Sequence, residues 1–333
     1  MSTVESALKY RNKKWYEHAG ASVIQFFKEN MGILIGLALL CVIIAVQSPV
    51  FLSKANILNV LRQVATNLYI ACGMTIIIIL GGIDLSVGSI IALSGVVTGG
   101  MIAFDGASIA VAVIAGLVAG TLVGAFNGYV VSSTNIPPFI VTLATMNIAR
   151  GAAYVYTGGQ PIRVMSDQFN FLGAGYIGDI PMPIIYLVII VLVSFFIMSK
   201  SKLGRHIYAV GGNAQAARFS GIKIKRVKFF AYIFTGFLSS IAGIVLASRM
   251  FSGQPTAGQQ AELDAIAAVV LGGTSMSGGA GKIGGTVIGA LIIGVLSNGL
   301  NLLGINSFWQ YIVKGIVILI AVYVDFFKKK SKG

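Results

Sequence analysis

Ten apolar runs dominate this chain, and most of them approach the roughly 20 residues that a helix needs to cross the hydrocarbon core of a bilayer. Only 10% of the residues are charged and 56% are hydrophobic, whereas a soluble domain usually carries about 25% charged residues. The sequence therefore predicts an all-α polytopic membrane protein with about ten transmembrane helices. These helices are expected near residues 31–50, 58–80, 86–104, 108–131, 138–157, 183–199, 227–248, 262–274, 283–303 and 309–326.

Two places depart from a simple succession of crossing helices. The run 262–274 is short, and only a few residues separate the run 58–80 from the run 86–104. A helix of full length does not fit either place, so each of them predicts a broken or re-entrant helix.

The basic residues are concentrated in residues 1–30, residues 200–228 and the tail 327–333. Together these segments contain 17 of the 24 Lys and Arg residues. Short loops rich in Lys and Arg stay in the cytoplasm, and an even number of spans places all three segments on that side. We therefore expect an N-terminal cytoplasmic or interfacial segment at 1–30, a transmembrane domain at 31–326 with a cytoplasmic loop at 200–228, and a cytoplasmic basic tail.

The net charge and the motifs restrict the classes of function that this chain can have. The net charge of +14 comes from segments that flank apolar spans, so we expect contact with anionic membrane lipids and no binding of nucleic acid. The nearest match to the phosphate-binding loop G-x-x-x-x-G-K-[ST] has Met276 at the first Gly position and Ile283 at the hydroxyl position. The acidic residues fall at termini, loops and span ends, and two isolated His do not form a metal site. We expect neither an enzyme nor a cofactor in this chain, and a transporter of this kind would take its energy from other subunits.

The basic cytoplasmic loop contains the sequence GRHIYAVGGNAQAARFSGIKIKR from Gly204 onward. Asn213 is a favoured N-cap residue, and the sequence after it predicts a short helix over Ala214 to Phe219 that ends at Gly221. Small alanines make this helix slim enough to enter a cleft of a soluble partner. The alternative is a solvated linker with an incidental helical turn.

Three blocks of the sequence resemble the permease subunits of bacterial ATP-binding-cassette importers for monosaccharides, a group that includes ribose, galactose, xylose and arabinose permeases. The blocks are GGIDLSVGSIIALSG from Gly81, GRHIYAVGGN from Gly204, and the run from Gln254 to Gly304. The similarity covers most of the chain beyond residue 30 and is greatest to the ribose permeases. One position departs from the family, because Gln215 stands where the family often has Glu, the acid that a salt bridge to the ATPase would use.

The resemblance implies a homodimer in the cytoplasmic (inner) membrane of a bacterium, with both termini of each chain in the cytoplasm. Its partners would be two cytoplasmic ATPase domains, which hold ATP and Mg, and an external sugar-binding protein that delivers a monosaccharide, ribose in the first place. The outer loops 158–182 and 249–261 would receive the binding protein. The motion of the ATPases would be transmitted by residues of the cytoplasmic helix and its flanks, namely Gly212, Asn213, Gln215, Ala216, Ala217, Arg218, Ser220 and Gly221. The alternative from another class is an ATP-independent sugar channel or facilitator.

Glycines recur at every fourth residue in the fourth and ninth spans, and such stripes let helix backbones approach closely. GTLVGA from Gly120 also matches GTVIGA from Gly285. This match predicts that spans two to five correspond to spans seven to ten, and because the offset of five spans is odd, such a repeat would be inverted. The glycines of the two stripes are Gly116, Gly120, Gly124, Gly128, Gly285 and Gly289.

Acidic residues stand at the beginnings of the two short apolar helices. Asp84 and Asp264 each follow an apolar residue there, and a carboxylate at a helix N-terminus accepts hydrogen bonds from free backbone amides. Capping is the favoured interpretation. The alternative is that Glu262 and Asp264 contact the sugar or the binding protein.

A path for a sugar needs hydrogen-bonding groups inside the helical bundle. The fifth span contains Asn147, Arg150 and Tyr154 at helical spacing, and the ninth contains Asn298 and Asn301. Polar residues in such bundles also join neighbouring helices. These five residues therefore either line a pathway or hold helices together.

Overall fold

The structure, a computed structural model, describes residue 27 and residues 30–330 of the chain. The predicted N-terminal segment 1–30 lies outside the described residues except for residues 27 and 30, and so do residues 331–333 of the basic tail. Residues 30–330 form thirteen helices and four two-residue strands. The elements are α1 (Met31–Gln47), α2 (Lys54–Ile79), α3 (Val87–Ala103), α4 (Ile109–Ser133), α5 (Pro138–Thr157), β1 (Ile162–Arg163), α6 (Asp167–Ala174), β2 (Tyr176–Ile177), β3 (Ile180–Pro181), α7 (Met182–Lys200), α8 (Lys202–Gly212), α9 (Ala214–Phe219), α10 (Ile224–Arg249), β4 (Ser252–Gly253), α11 (Ala261–Leu271), α12 (Ile283–Leu302) and α13 (Ser307–Lys330).

The fold is an all-α polytopic membrane protein, as the sequence predicts. Each of the ten apolar runs corresponds to one helix, and the ten helices are α1 to α5, α7 and α10 to α13. Among the described residues, six helices are long and apolar enough to cross a membrane. They are α1, α2, α4, α7, α10 and α12.

Helices α3 and α11 are not among these six helices. They contain 17 and 11 residues, and both begin inside the bundle, because Gly88 at the start of α3 lies against Gly258 and Glu262 at the start of α11. A non-helical segment precedes each one, residues 80–86 before α3 and residues 250–260, which include β4, before α11. These two half-helices are the broken helices that the sequence predicts.

The helix packing repeats in the two halves of the bundle. In the first half α3 packs against α4, α5 and α10, and in the second half α11 packs against α12, α13 and α2. Helices α4 and α10 pack against each other, and so do their counterparts α12 and α2. This correspondence supports the predicted relation between spans two to five and spans seven to ten.

The two half-helices run in opposite directions. Ile79, at the end of α2 just before α3, contacts Gly279 in the segment after α11. Gly99, near the end of α3, lies beside Gly253 in the segment before α11. The segment that leads into α3 therefore lies on the same side as the segment that follows α11, and the end of α3 lies beside the segment that leads into α11. The two half-helices thus point in opposite directions, as in an inverted repeat, a recurrent arrangement in transporters.

Helix α2 forms the centre of the core. Its second half is the apolar run from Ile70 to Ile79, of which every residue is buried. A helix that is apolar on all sides is stable only when protein or lipid surrounds it completely. By contrast, α1 buries only Ile44, so its apolar surface is left for lipid or another chain to cover.

Helix α4 of the first half and helix α10 of the second half cross each other closely at two glycines, Gly124 and Gly236. A Cβ atom on Gly124 would lie 3.0 Å from the Cα atom of Gly236, and one on Gly236 would lie 2.8 Å from the Cα atom of Gly124. Backbones can approach this closely only where both residues lack a side chain. The other glycines of the fourth-span stripe also contact neighbouring helices, with Gly120 against Ser240 and Gly128 against Phe229.

Candidate functional site

The predicted cytoplasmic helix exists as α9, between α8 and α10. The side chain of Asn213 accepts a hydrogen bond from the backbone amide of Ala216 at 2.9 Å, and Gly221 has the left-handed φ of +81° that ends such a helix. The backbone amide of Asn213 also donates to the carbonyl of Ala209 in α8 at 3.1 Å. Asn213 is therefore the C-cap of α8 and the N-cap of α9, so it joins the two helices rigidly.

Helix α9 presents almost all of its surface to solvent. Ala217 is buried against the rest of the protein, while Ala216 is exposed. The other predicted residues of the site are also exposed, namely Gly212, Asn213, Gln215, Arg218, Ser220 and Gly221.

Phe219, the last residue of α9, is 91% exposed, and the sequence-based site did not include it. A large aromatic side chain that solvent surrounds almost completely on a short, capped helix suits insertion into a pocket of a partner. The signal was present in the sequence as an aromatic residue inside a polar, basic loop.

At the second candidate region, the N-terminal ends of α3 and α11 meet inside the bundle; we call this the half-helix junction. A Cβ atom on Gly88 in α3 would overlap a carboxylate oxygen of Glu262 and the carbonyl oxygen of Gly258. Gln260, which directly precedes α11, has a φ of +63°, which is unusual for a residue other than glycine and marks a constrained turn. The carboxylate of Glu262 is placed to accept hydrogen bonds from its own amide and that of Gln260.

Two basic residues reach this junction from α5 and α13. The guanidinium of Arg150 donates to the carbonyl oxygens of Pro255 and Ala257 at 2.7 and 2.6 Å, and it interacts electrostatically with Glu262. The ammonium of Lys314 forms an ion pair with Asp264 at 2.9 Å, in which the side chains remain 19% and 15% exposed. The junction therefore brings together two acids and two bases from three helices.

The capping interpretation of Asp264 is wrong. Asp264 is the fourth residue of α11, and its carboxylate pairs with Lys314 instead of accepting the free amides at the helix start. Glu262 lies nearer to those amides. The predicted start of this helix, residue 262, differs by only one residue from the observed start at Ala261, so the sequence lacked only the partner Lys314, which is 50 positions away.

Asp84 lies just before α3 and is completely buried. Its Oδ1 atom accepts hydrogen bonds from the backbone amide of Ser86 at 2.8 Å and from the Ser86 hydroxyl at 2.6 Å. Asn127 donates to the same hydroxyl at 2.8 Å and accepts from Thr145 at 2.6 Å. Although Asp84 stands at the end of a predicted span, that end is inside the protein, because α3 is a half-helix.

The remaining polar candidates separate into two groups. Asn147 and Tyr154 are exposed on α5, on the helix that contributes Arg150. Asn298 is buried and exchanges two hydrogen bonds with Asn56 of α2, at 3.0 and 2.9 Å, and Asn301 accepts one from Gln310 at 2.7 Å. The residues of α12 thus connect helices, whereas Asn147 and Tyr154 leave polar groups on the bundle surface.

The glycines predicted to form the ninth-span stripe lie against α11. A Cβ atom on Gly285 would overlap the carbonyl oxygen of Gly272, and one on Gly289 would overlap that of Ala268. Gly116 of the other stripe lies against Thr98 of α3. Both stripes therefore hold the half-helices close to their neighbours.

The opposite end of the bundle from α9 is covered by α6 and two short strand pairs. Strand β1 pairs antiparallel with β4, and β2 pairs with β3. Arg62 donates to the hydroxyl of Tyr176 and lies over its ring, 5.1 Å from the centroid. Lys54 pairs with Asp179 at 2.8 Å and thereby holds the pKa of that carboxyl below its usual value, although both side chains are exposed.

No cluster of three or more His, Cys, Asp or Glu residues that could hold a metal ion occurs among the described residues.

Comparison with known proteins identifies what the chain resembles. A family model described as "Branched-chain amino acid transport system / permease component" matches residues 56–322. The chain is 51% identical to the ribose import permease protein RbsC of Bacillus subtilis (strain 168), over 91% of this chain and 94% of that protein. It is 46% identical to RbsC of Escherichia coli (strain K12), over 88% and 92% of the two chains. The L-arabinose transport system permease protein AraH of Escherichia coli (strain K12) is 39% identical, over 91% and 92%. No solved structure matches the chain.

Proposed function

Because the chain belongs to the family of transport permeases described by the branched-chain amino acid permease model, we propose that it is the membrane subunit of an ATP-binding-cassette importer for a monosaccharide. Ribose is the first candidate, since the chain is 51% identical to a ribose import permease over 91% of its length. The subunit itself is not catalytic. It lies in the cytoplasmic membrane of a bacterium with both termini inside the cell.

The observation that carries the importer mechanism is the exposed helix α9. Asn213 caps it, Ala217 anchors it to the bundle, and Phe219 projects almost entirely into solvent. A short rigid helix with one exposed aromatic anchor suits docking into a groove of a soluble ATPase. ATP and Mg then belong to that partner, and closure of the ATPases moves α9.

The sugar path follows the face of the bundle that contains Arg150, Glu262, Asp264 and Lys314. All four side chains are only partly buried in the single chain, and charges at this depth do not face hydrocarbon. Water and a second copy of the chain would cover this face in a homodimer. Asn147 and Tyr154 of α5 lie beside it and supply further hydrogen-bonding groups.

An external sugar-binding protein is the proposed source of both the cargo and its selection. It would dock at the end of the bundle formed by α6, the hairpin of β2 and β3, and the segment 249–261. The ion pair between Lys54 and Asp179 is exposed there, so its contribution to stability is small and its charges are available to a partner.

Uptake by proteoliposomes tests the proposal. Vesicles that contain the chain, the ATPase and internal ATP should accumulate labelled ribose only when the binding protein is added outside. Vesicles with the chain alone should not equilibrate the sugar faster than protein-free vesicles. Rapid equilibration by the chain alone would instead identify an ATP-independent facilitator.

A further inference from the structure

Three backbone segments meet at the C-terminal end of α8, at the end of the bundle that contains α9. They are the end of α2 at Ile79, the end of α8 at Gly211, and the segment between α11 and α12 at Gly278 and Gly279. The backbone amide of Gly279 donates a hydrogen bond to the carbonyl oxygen of Ile79 at 2.8 Å. We refer to Ile79, Gly211, Gly278 and Gly279 as the glycine clasp.

The contacts in the glycine clasp leave no room for side chains. A Cβ atom on Gly211 would overlap the carbonyl oxygen of Ile79 and lie 2.8 Å from the amide nitrogen of Gly279. One on Gly278 would lie 2.8 Å from the carbonyl oxygen of Gly211, and one on Gly279 would lie 2.8 Å from the Cα atom of Gly212. Gly278 and Gly279 also have left-handed φ values of +84° and +73°, which glycine adopts without strain.

The segment that contains Gly278 and Gly279 is itself held in shape. The amide of Ser275 donates to the carbonyl of Ala280 at 2.9 Å, and the amide of Gly278 donates to the carbonyl of Ser275 at 3.0 Å. The hydroxyl of Tyr208 in α8 donates to the carbonyl of Gly281 at 2.7 Å. Burial raises the pKa of Tyr208, so its hydroxyl remains a proton donor.

The glycine clasp lies between α9 and both half-helices. On one side, Asn213 joins α9 to α8, and Gly211 lies in the last turn of α8. On the other, Ile79 leads through residues 80–86 into α3, and residues 272–282 follow α11. Backbone contacts without intervening side chains cannot absorb a displacement by changing rotamers, because packed protein has little free volume.

We propose that the glycine clasp transmits the movement of α9 to α3 and α11, the helices of the half-helix junction. Gly211, Gly278 and Gly279 are positioning residues, because they keep α8 against both connecting segments and act through the helices that those segments join. This inference rests on the proposed function, since it assumes that an ATPase moves α9. It adds the route by which that movement opens the path.

Gly211→Ala tests the clasp in proteoliposomes that contain the chain, its ATPase and its binding protein. Three quantities are measured: ATPase recovered with the purified chain, ATP hydrolysed, and labelled ribose transported per ATP. The variant should retain the ATPase and its hydrolysis, because α9 is unchanged, while ribose transported per ATP falls about tenfold. Gly36→Ala is the matched control, since a Cβ atom there meets nothing within 4 Å.

A second variant disturbs the structure less, and it can be measured even if Gly211→Ala does not fold. Tyr208→Phe removes only the hydroxyl that bonds to Gly281, and it should lower ribose transported per ATP about threefold without loss of bound ATPase. Tyr129→Phe is its control, because Tyr129 is 65% exposed on α4.

The outcomes separate the two proposals. Wild-type uptake that does not require the ATPase would overturn the proposed function, and the role of the clasp with it. Wild-type coupling that is normal, together with an unchanged ribose-to-ATP ratio in Tyr208→Phe and in any folded Gly211→Ala protein, would overturn the clasp alone.

Discussion

At the scale of single residues, two ion pairs within the described part of the chain differ in their surroundings. Lys314 and Asp264 are 19% and 15% exposed, whereas Lys54 and Asp179 are 73% and 81% exposed. An exposed pair gains little over its hydration by water, but a partly buried pair leaves a poorly solvated charge when one partner is removed. The two pairs therefore form a natural comparison within one molecule.

Lys314→Met should destabilise the detergent-solubilised protein by about 1–3 kcal/mol, because the carboxylate of Asp264 loses its counter-ion in a partly buried site. The double variant Lys314→Met/Asp264→Leu should recover most of that loss. The loss in the single variant and the recovery in the double variant are measured as midpoints of thermal unfolding, monitored by tryptophan fluorescence. Lys54→Met is the control, and a midpoint for it as low as that of Lys314→Met would contradict the assignment of different environments.

A second prediction at this scale concerns Phe219. Phe219→Ala should weaken binding of the ATPase to the chain in nanodiscs by about tenfold or more, since an exposed aromatic anchor commonly contributes over 1 kcal/mol to an interface. Phe104→Ala serves as the control, because Phe104 is 65% exposed and directly follows α3, at the end of the bundle away from α9. Equal ATPase affinities for the two variants would show that Phe219 does not enter a pocket of the partner.

At the scale of elements, close approach of helices depends on paired small residues. Gly124→Ala places a methyl group against the carbonyl oxygen of Tyr232 and the backbone of Gly236, so α4 and α10 must separate or shift. We expect a loss of about 1–3 kcal/mol, as for other overpacked positions, measured as a lower unfolding temperature. Gly32→Ala, where a Cβ atom meets nothing within 4 Å, should leave that temperature unchanged or raise it slightly. Equal midpoints for both variants would contradict the close crossing.

The elements themselves were predictable from sequence to a large extent, because apolar length and Pro, Gly and Asn signals act locally. The predicted helix over Ala214 to Phe219 has the bounds of α9. The depth at which a residue lies inside the protein was not predictable. Asp84 stands at the end of an apolar run, and no local pattern reveals that the protein interior surrounds this end. The contact of Gly211 with Ile79 likewise joins residues over 130 positions apart, which neither periodicity nor capping can indicate.

At the scale of the whole molecule, the two halves share one packing scheme but not one set of charges. The first half contributes Asp84, enclosed by hydroxyl and amide partners. The second half contributes Glu262 and Asp264, which reach the bundle surface beside Arg150 and Lys314. The two related half-helices thus form the half-helix junction. One face of the bundle is polar there because the second half contributes Glu262 and Asp264. That face cannot lie against lipid, so the molecule requires a second copy or an aqueous path on that side.

Thiol labelling can test which side of the molecule faces water. In a background with Cys41→Ser and Cys72→Ala, a cysteine is introduced at Asn147, which is exposed one turn from Arg150, or at Ile189, which is 54% exposed on α7. Thiols react as thiolates, which form readily in water and poorly in hydrocarbon. A membrane-impermeant maleimide should therefore modify Asn147→Cys at least about tenfold faster than Ile189→Cys in native membranes. Comparable, slow modification at both positions, with full modification of both after solubilisation and unfolding, would place the α5 face in lipid and remove the physical basis for the proposed path.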